Sequence, residues 1–332
     1  MSFIVVYVSS RVTPCHGSFH PVNSIAPTSS PFVDSGAQTL ILPPFAASSD
    51  QENFSVLSPL VPVDLRPHFA SVYAYCRLID DLADAQGVGE AARHRALSLL
   101  ELARQELRLC PAGKSHHPVF KQLGETIRAK NLPLGPFEDL ILAFEQDQHI
   151  TRYETWDQLL DYCTRSANPV GRIILMLDGH IPDHEPGLFY LSDCICTALQ
   201  LTNFWQDVRR DLVERDRIYL PLRDFNHTEA ELRDWMNRPR DPDARLPYIL
   251  ALRQLVERTD LLYIEGAPLI GHLTRRLGPA VYLFHHGGRD TLNLILRTGC
   301  TTLWKRPKLS KLDKLALIVR ALTLRTLKRW RA

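Results

Sequence analysis

Apolar residues recur at intervals of three and four from about residue 67 onward, which is the period of amphipathic α-helices. No segment alternates apolar and polar residues convincingly over six or more positions, so the pattern carries no clear strand signal. The sequence therefore predicts an all-α protein.

Prolines, glycines and capping residues divide this pattern into separate helices. Thr228 and Glu231 have the spacing of a capping box, which predicts a helix start at that point. The predicted helices are Pro67 to the break at Gly87–Gly89, Glu90–Leu109, two helices opened by Pro118 and Pro136, Leu188–Asp211, a helix after Thr228, 243–265 and 278–298.

Pro169 interrupts a helical pattern and should kink or restart the helix. It is flanked by the small residues Ser166, Ala167 and Gly171, which permit close approach of a ligand or of another helix. A simple helix junction explains these residues equally well.

The two ends of the chain differ from its middle. Residues 1–49 are rich in serine and proline and contain Asp34 as their one acidic residue, so we expect a disordered extension or a start codon placed too early. Residues 305–332 hold ten basic residues, one acidic residue and a helical apolar stripe. This end is typical of a basic amphipathic helix, which either adsorbs to an anionic membrane surface or docks on the core with its basic side in water.

Composition narrows the classes of function. The 332 residues, 45% of them hydrophobic, can bury a core as one large domain or two small ones. A net charge of +2 argues against nucleic acid as the main partner. Seven scattered cysteines suit a reducing compartment, and no apolar run approaches the roughly 18 to 20 residues of a membrane span, so we expect a cytoplasmic protein.

An acidic stretch stands out between residues 199 and 221. In a helix, Asn203, Asp207 and Asp211 lie one turn apart on one face, and Gln200 joins them one turn earlier. Hard oxygen ligands of this kind suit Mg²⁺. Taken alone, such a stripe is more often a solvated face.

A second acidic face changes that balance. Asp80 and Asp84 also lie one helical turn apart, about 120 residues earlier. Two such helices facing each other across a bundle can hold divalent ions, neutralise a diphosphate and promote its departure. The sequence therefore predicts a site that ionises an allylic diphosphate.

Such a site also needs fixed positive charge and aromatic faces that stabilise a carbocation without reacting. We expect about half of the candidate aromatic residues to be ordinary core residues. The candidates are Arg77, Arg209, Arg210, Arg215 and Arg217, with Tyr73, Tyr75, Phe204, Trp205 and Tyr219. The adjacent His285 and His286 cannot chelate a metal well from a helix, so we expect them at the surface or at a pocket rim.

These motifs resemble the squalene/phytoene synthase family. V-Y-A-Y-C-R-L-I-D-D-L-A-D is similar to its first aspartate motif, and N-F-W-Q-D-V-R-R-D followed by R-I-Y-L-P is similar to its second. The resemblance covers roughly residues 50–300 and implies an isoprenoid-synthase helical bundle around a central cavity, with a catalytic domain over 50–304. It implies that Asp80, Asp84, Asp207 and Asp211 handle Mg²⁺ and diphosphate. It also implies a pocket lined by Tyr73, Arg77, Gln200, Asn203, Arg217 and Tyr219.

Finer features are similar to one branch, the hydroxysqualene synthases of bacterial hopanoid pathways. They lie in the segment Glu52, Asn53, Phe54 and Ser55, in the block 165–171, which follows Tyr162, and in 201–207. Condensing relatives generally carry a basic residue in the first segment and an arginine at the position of Gln206. Glu52 and Gln206 should therefore reduce positive charge near the diphosphate, as suits a single C30 diphosphate.

The leading hypothesis is Mg²⁺-dependent ionisation of presqualene diphosphate, rearrangement and capture by water as hydroxysqualene. Tyr219, Tyr162 and Gln206 are the candidates, in that order, for positioning the water, and no nicotinamide is expected. The alternative enzyme condenses two prenyl diphosphates to presqualene diphosphate, squalene or phytoene. A third hypothesis is a non-catalytic helical protein that binds lipid or a partner. We expect a small-molecule isoprenoid diphosphate as the main partner, with peripheral association at the inner membrane surface as a further expectation.

Overall fold

The computed structural model describes residues 42, 60–87, 89–273 and 276–327. Within these ranges every regular element is helical, and the β-type pairing is one isolated parallel bridge between Arg152 and Ile218. The prediction of an all-α protein is confirmed. Apart from residue 42, the predicted extension over residues 1–49 lies outside the described residues.

The described helices agree closely with the predicted ones. Two short 3₁₀ turns, Cys110–Ala112 and Leu222–Phe225, accompany them. The helices are α1 (Arg66–Asp84), α2 (Glu90–Leu109), α3 (Pro118–Lys130), α4 (Gly135–His149), α5 (Trp156–Ser166), α6 (Asn168–Leu177), α7 (Pro186–Glu214), α8 (Glu229–Asn237), α9 (Pro242–Gly266), α10 (Leu269–His272), α11 (Gly278–Arg297) and α12 (Lys311–Leu327).

Local sequence explains several helix boundaries. The capping box predicted at Thr228 is present, because its hydroxyl accepts from the Glu231 amide and the Glu231 carboxylate accepts from the Thr228 amide. The interruption at Pro169 is a restart: α5 ends at Ser166 and α6 begins at Asn168. The predicted C-terminal helix begins only at Lys311, where Ser310 and Asp313 cap it reciprocally, so residues 305–310 are not helical.

The long helix α7 runs through the middle of the molecule and contributes to two large apolar clusters. Ile195, on its earlier part, packs in a cluster formed mainly by α1 to α4 and α6. Leu201 and Trp205 pack in a second cluster with residues of α5, α8, α9 and α11. This central position carries the second acidic stretch into the interior of the bundle.

A third, smaller apolar cluster joins α11 to α12. Leu317 and Ala321 of α12 are buried against Ala280 and Leu283 of α11. One side of the C-terminal helix therefore docks on the core, as one of the two alternatives expected. No described helix is both long enough and apolar enough to cross a bilayer.

The expectation for the two histidines of α11 is wrong for His285. Its side chain is buried, and its Nε2 lies 2.8 Å from the carbonyl oxygen of Tyr263. His286 is half-buried and stacks on the ring of Tyr282. Both pKa values are lowered, chiefly by burial. His285 therefore joins α11 to α9 from inside the core, whereas His286 contacts Tyr282 of its own helix.

Candidate active site

The first acidic motif occupies the last turns of α1. Asp80 is buried, and its Oδ2 lies 3.0 Å from Nη1 of Arg77. The other terminal nitrogen of Arg77 lies 2.8 Å from the half-exposed Asp81. The predicted arginine therefore holds the carboxylates of its own helix in a fixed arrangement. Tyr73, one turn earlier, is also buried.

The second acidic motif occupies the last turns of α7. Asp207 and Asp211 are both buried, one turn apart, as the spacing predicts. Burial raises the pKa of Asp211 to about 7. Asp207 Oδ2 lies 3.3 Å from Arg210, whereas Arg209 is exposed.

Arg215 joins the two motifs. Its Nη2 lies 3.0 Å from Asp84 at the end of α1, and its Nη1 lies 3.7 Å from Asp211 of α7. Arg217 adds a second contact to Asp84 at 3.4 Å. Burial raises the pKa of Asp84, and these two guanidinium groups act against it by lowering that pKa. The predicted approach of the acidic helices is thus present, with a cation between them.

The loop after α7 places these two arginines. Its backbone is pinned by bonds from the Ile218 amide to Thr151 (2.8 Å) and from the Tyr153 amide to Ile218 (3.0 Å). Asp216 takes a positive φ of 51°, and its carboxylate lies 2.8 Å from Arg152. The resulting turn directs the side chains of residues 215 and 217 toward the acidic motifs.

An aromatic cluster, which we define as Tyr153, Tyr162, Phe204 and Tyr219, lies beside these charges. The rings of Phe204 and Tyr219 stack at 3.9 Å between centroids, and Tyr153 stacks on Tyr219 at 5.3 Å. Tyr162 lies 6.1 Å from Phe204. Burial raises the pKa of all three tyrosines, so they remain neutral. Such faces can stabilise a carbocation.

Asp147 is a site residue that the sequence reasoning missed. It is buried on α4, its Oδ2 accepts a 2.8 Å hydrogen bond from the Tyr162 hydroxyl, and Arg217 lies 3.5 Å away. Burial raises its pKa. A signal was available, because Asp147 stands on the face of α4 that Phe137, Leu140 and Phe144 place in the core. A carboxylate on that face is unusual.

Two of the expected cation-stabilising aromatics belong to the core instead. Tyr75 is fully buried and donates to the Phe137 carbonyl oxygen at 2.7 Å. Trp205 is fully buried and donates to Thr259 at 2.8 Å. The role of the other three candidates, Tyr73, Phe204 and Tyr219, stays a prediction.

Gln206 lies beside an arginine that the sequence reasoning also missed. Arg306, from the segment after α11, contacts Asp207 through Nε and Nη2, and its Nη2 lies 3.2 Å from Gln206 Oε1. The Gln206 amide donates to the Pro307 carbonyl oxygen at 2.7 Å. A residue about 100 positions away thus supplies a guanidinium beside Gln206, and the expectation of less positive charge than in condensing relatives stays a prediction.

The remaining predicted residues divide into two groups. Gln200 is buried, and its Oε1 finds no hydrogen-bond partner among the described residues; Asn203 is half-buried one turn before Asp207. Asn53, Phe54 and Ser55, together with Glu52, lie outside the described residues.

An apolar pocket of about 680 Å³, a volume that includes space open to solvent, lies between α6, α7 and α11. Gly171 lines it and lets α6 approach α7 closely, so the close approach of another helix is confirmed, while the approach of a ligand stays a prediction. The cavity is lined by Phe69, Ala167, Val170, Gly171, Ile174, Leu175, Ser192, Ile195, Cys196, Leu199, Leu269, Ala280, Val281 and Phe284.

The donor chemistry of the two motifs fits Mg²⁺, since four carboxylates and the oxygens of Gln200 and Asn203 are hard ligands. Arg215 marks a position between Asp84 and Asp211 where positive charge is accommodated. Among the described residues, no three Asp, Glu, His or Cys side chains are grouped as a metal site, and each of the four carboxylates is paired with a guanidinium group.

Similarity to known proteins shows the family to which the chain belongs. The family model described as squalene/phytoene synthase matches residues 48–313. The hydroxysqualene synthase of Zymomonas mobilis is 37% identical over 173 residues, which are 51% of this chain and 54% of that relative. The match thus spans about half the length of that relative.

Two further similarities cover more of the chain. The phytoene synthase of Mycobacterium tuberculosis is 31% identical over 271 residues, covering 81% of this chain and 86% of the relative. The crystal structure of squalene synthase HpnC from Alicyclobacillus acidocaldarius superposes with a TM-score of 0.65 at 40% identity, covering 75% of this chain and 89% of that one.

Proposed function

Because the chain belongs to the squalene/phytoene synthase family, we propose that it ionises presqualene diphosphate and captures the rearranged cation with water as hydroxysqualene. The observation that carries this proposal is the pairing of Asp84 and Asp211 with one shared arginine, Arg215, next to the aromatic cluster. The guanidinium group that would bind a diphosphate therefore lies next to the aromatic rings that would stabilise a carbocation.

In the proposed reaction the carbon–oxygen bond of the substrate breaks, and the electron pair leaves with the diphosphate. Arg77, Arg215 and Arg217 supply fixed hydrogen-bond donors for that leaving group. Mg²⁺ held by Asp80, Asp84, Asp207 and Asp211 would neutralise part of its charge.

The cyclopropylcarbinyl cation then rearranges beside the aromatic cluster, whose ring faces stabilise it. The oxygen of a water molecule forms the new carbon–oxygen bond, and one proton of that water is released. No electrons are gained or lost overall, so the reaction needs no nicotinamide. Tyr162 and Tyr219, both in the cluster, remain the candidates for orienting the water.

Similarity supports the choice of substrate. The hydroxysqualene synthase of Zymomonas mobilis is among the relatives, at 37% identity. The similarity to a phytoene synthase over 81% of the chain favours a second candidate, the condensation of two prenyl diphosphates. Both candidates begin with loss of a diphosphate at the same two motifs.

Product analysis separates the two candidates. Purified protein is incubated with presqualene diphosphate and Mg²⁺, without nicotinamide, and in a parallel reaction with farnesyl diphosphate alone. Hydroxysqualene in the first reaction and no product in the second is the expected result. Squalene, or no turnover of presqualene diphosphate, would exclude capture by water, and turnover of farnesyl diphosphate would favour condensation.

Two variants test the acidic motifs in the same assay. Asp84→Asn and Asp207→Asn should each abolish turnover while leaving the helical circular dichroism signal unchanged. Asp183→Asn is the matched control, because Asp183 is exposed in the turn before α7. Full activity in both motif variants would contradict the assignment of these carboxylates to Mg²⁺ and diphosphate.

We further propose that α12 docks the protein on an anionic membrane at the cytoplasmic face of the inner membrane. Leu312, Leu315 and Val319 follow a helical spacing and are 78%, 56% and 50% exposed. Burial and the neighbouring cations Lys308 and Arg306 lower the pKa of Lys314, in keeping with dense positive charge. Apolar and basic residues on one exposed face suit an anionic bilayer.

A further inference from the structure

The junction between α5 and α6, residues 166–168, carries a buried hydroxyl group without a partner. Ser166, the last residue of α5, is 0% exposed, and its Oγ makes no hydrogen bond to any described residue. A serine in a helix often donates to a carbonyl oxygen of the preceding turn, but this one does not. A buried polar atom left unpaired destabilises the fold, so Ser166 calls for a functional reason or a bound water molecule.

Two contacts show how this junction runs along α7. The ring of Tyr162, on α5, lies 6.1 Å from the ring of Phe204. The Thr197 hydroxyl donates a 2.9 Å hydrogen bond to Oδ1 of Asn168, the first residue of α6. The chain therefore runs antiparallel to α7 at this point. Ser166 lies one turn after Tyr162 and two residues before Asn168, so it faces the turn of α7 between the two contacts.

Gln200 occupies that turn of α7. It follows Thr197 by three residues and precedes Phe204 by four, so it lies on the face that meets the junction. It is 3% exposed, and its Oε1 also makes no hydrogen bond to any described residue. Facing helices thus supply two buried oxygen atoms without partners. One water molecule that accepts from Ser166 and donates to Gln200 would satisfy both.

The position of Ser166 suits the chemistry of the proposed reaction. Tyr162, one turn earlier, belongs to the aromatic cluster beside which the carbocation rearranges. Ala167, the next residue, lines the apolar cavity. The Tyr162 hydroxyl already donates to Asp147, whereas the Ser166 hydroxyl is free to donate to a water molecule.

We propose that Ser166 and Gln200 hold the water molecule that captures the carbocation. Asn168 and Thr197 are positioning residues, because their hydrogen bond fixes the junction on α7. Ser166 donates to one lone pair of the water, Gln200 accepts one of its protons, and the second lone pair forms the carbon–oxygen bond. The other proton passes to the diphosphate released in the first step, so no further base is needed. This inference rests on the proposed function and names the residues that orient the water within it.

The ratio of products tests this role, with the full chain, presqualene diphosphate and Mg²⁺. In Ser166→Ala the cation should still form, but more of it should lose a proton from a neighbouring carbon and leave as a C30 hydrocarbon. The ratio of hydroxysqualene to hydrocarbon should fall by about 3- to 10-fold, the loss expected for one hydrogen bond. Consumption of presqualene diphosphate should stay within about 2-fold of the wild type, because this hydroxyl takes no part in ionisation.

Two further variants complete the experiment. Thr197→Val removes the hydrogen bond to Asn168 and should lower the product ratio by less than Ser166→Ala does. Ser71→Ala is the matched control, because Ser71 is also a buried serine whose Oγ has no partner among the described residues. It lies on α1 one turn before Tyr75, on the core side of that helix, so its product ratio should match that of the wild type.

An equal fall in Ser166→Ala and Ser71→Ala would overturn the proposal in favour of a general effect of removing a buried hydroxyl. Slower consumption with an unchanged product ratio in Ser166→Ala would also overturn it, because a merely structural role has that result. If the wild type yields no hydroxysqualene, the proposed function fails. If the wild type yields hydroxysqualene and Ser166→Ala keeps the same ratio, only the role of Ser166 fails.

Discussion

Asp147 couples the charged part of the site to its aromatic part. Its carboxylate accepts from the Tyr162 hydroxyl and faces Arg217, which in turn contacts Asp84. A buried carboxylate is stable only when partners of this kind satisfy it. The ring of Tyr162 is therefore held by the same network that holds a residue of the first acidic motif.

A double-mutant cycle tests this coupling. Asp147→Asn, Tyr162→Phe and the double variant are compared by chemical denaturation, and we expect a coupling energy of about 1 to 2 kcal/mol, as for a buried hydrogen bond to a charged group. Tyr153→Phe is the control partner, because its hydroxyl bonds to Gln146 at 3.2 Å. The effects of Asp147→Asn and Tyr153→Phe on the free energy of unfolding should be nearly additive. Additive effects of Asp147→Asn and Tyr162→Phe would show that their hydrogen bond contributes little.

Sequence spacing predicted those site residues that lie on one helix face. Asp80 with Asp84, and Asp207 with Asp211, follow from the four-residue period alone, and Arg77 follows from its place one turn before Asp81. Arg306 could not be predicted in this way, since its pairing with Asp207 depends on how a segment 99 residues away folds back. Asp147 could have been predicted, because the helical period of α4 places it on the core face, where a carboxylate is unusual.

At the scale of elements, helix bounds were the best predicted feature. Prolines and capping residues act locally, so Glu90–Leu109 and the start at Pro118 agree with the structure. The start of α12 was predicted too early, at residue 305, because a basic composition does not specify a helix. The observed start is Lys311. The turn at Asp216, which directs Arg215 and Arg217, depends on tertiary partners and carried no sequence signal.

Gly171 tests the contact between α6 and α7. A methyl group at this position would come closer to Ser192 Oγ and Cys196 Sγ than packed side chains tolerate. Gly171→Ala should therefore lower the free energy of unfolding by about 1 to 3 kcal/mol, measured by denaturant titration. Gly187→Ala in the first turn of α7 meets no atom within 4 Å and should be neutral or slightly stabilising. Equal stability of the two variants would contradict the close approach.

The loop that carries Arg215 and Arg217 is stabilised by a network of ion pairs. This network loses its stabilising effect at low pH. A hydrogen bond from Arg152, aided by Arg233, lowers the pKa of Glu229 from 4.5 to about 2. Because the folded-state pKa is the lower one, this stabilisation is present above pH 4.5 and is lost as the pH falls toward 2. Acid therefore loosens a brace of the turn at Asp216.

Glu229→Gln tests this brace by denaturant titration across the acid range. The variant should be less stable than the wild type near pH 7 by no more than about 1 kcal/mol, since the pair is half-exposed. The difference should shrink steadily between pH 4.5 and 2. Glu257→Gln, whose carboxylate lies 3.6 Å from Arg253 in solvent, should show no such convergence. A pH-independent difference for Glu229→Gln would exclude an electrostatic origin.

At the scale of the whole molecule, the apolar cavity and the C-terminal helix share a wall. Phe284 of α11 lines the cavity and also packs against the cluster that seats α12 on the core. A substrate or product with a long hydrocarbon chain partitions into bilayers. A docked α12 would hold the cavity close to the membrane from which such a chain arrives or into which it leaves.

Vesicle flotation tests this orientation with the full chain. The protein should bind vesicles containing phosphatidylglycerol, bind phosphatidylcholine vesicles much less, and lose binding as salt rises, because the basic residues near α12 each contribute about 1 kcal/mol at an anionic surface. Leu312→Ser with Leu315→Ser should weaken binding by about 10-fold or more, since each exposed leucine contributes about 1.5 to 3 kcal/mol when buried.

The matched control for that pair lies on α9. Leu246 and Leu250 are 56% and 50% exposed, yet they belong to a different surface. Leu246→Ser with Leu250→Ser removes the same apolar groups and should leave vesicle binding unchanged. Equal losses in the two pairs would mean that any exposed leucine contributes to binding. Unchanged vesicle binding in the α12 pair would mean that the exposed leucines of α12 do not contact the bilayer. The helix α12 would then only dock on the core.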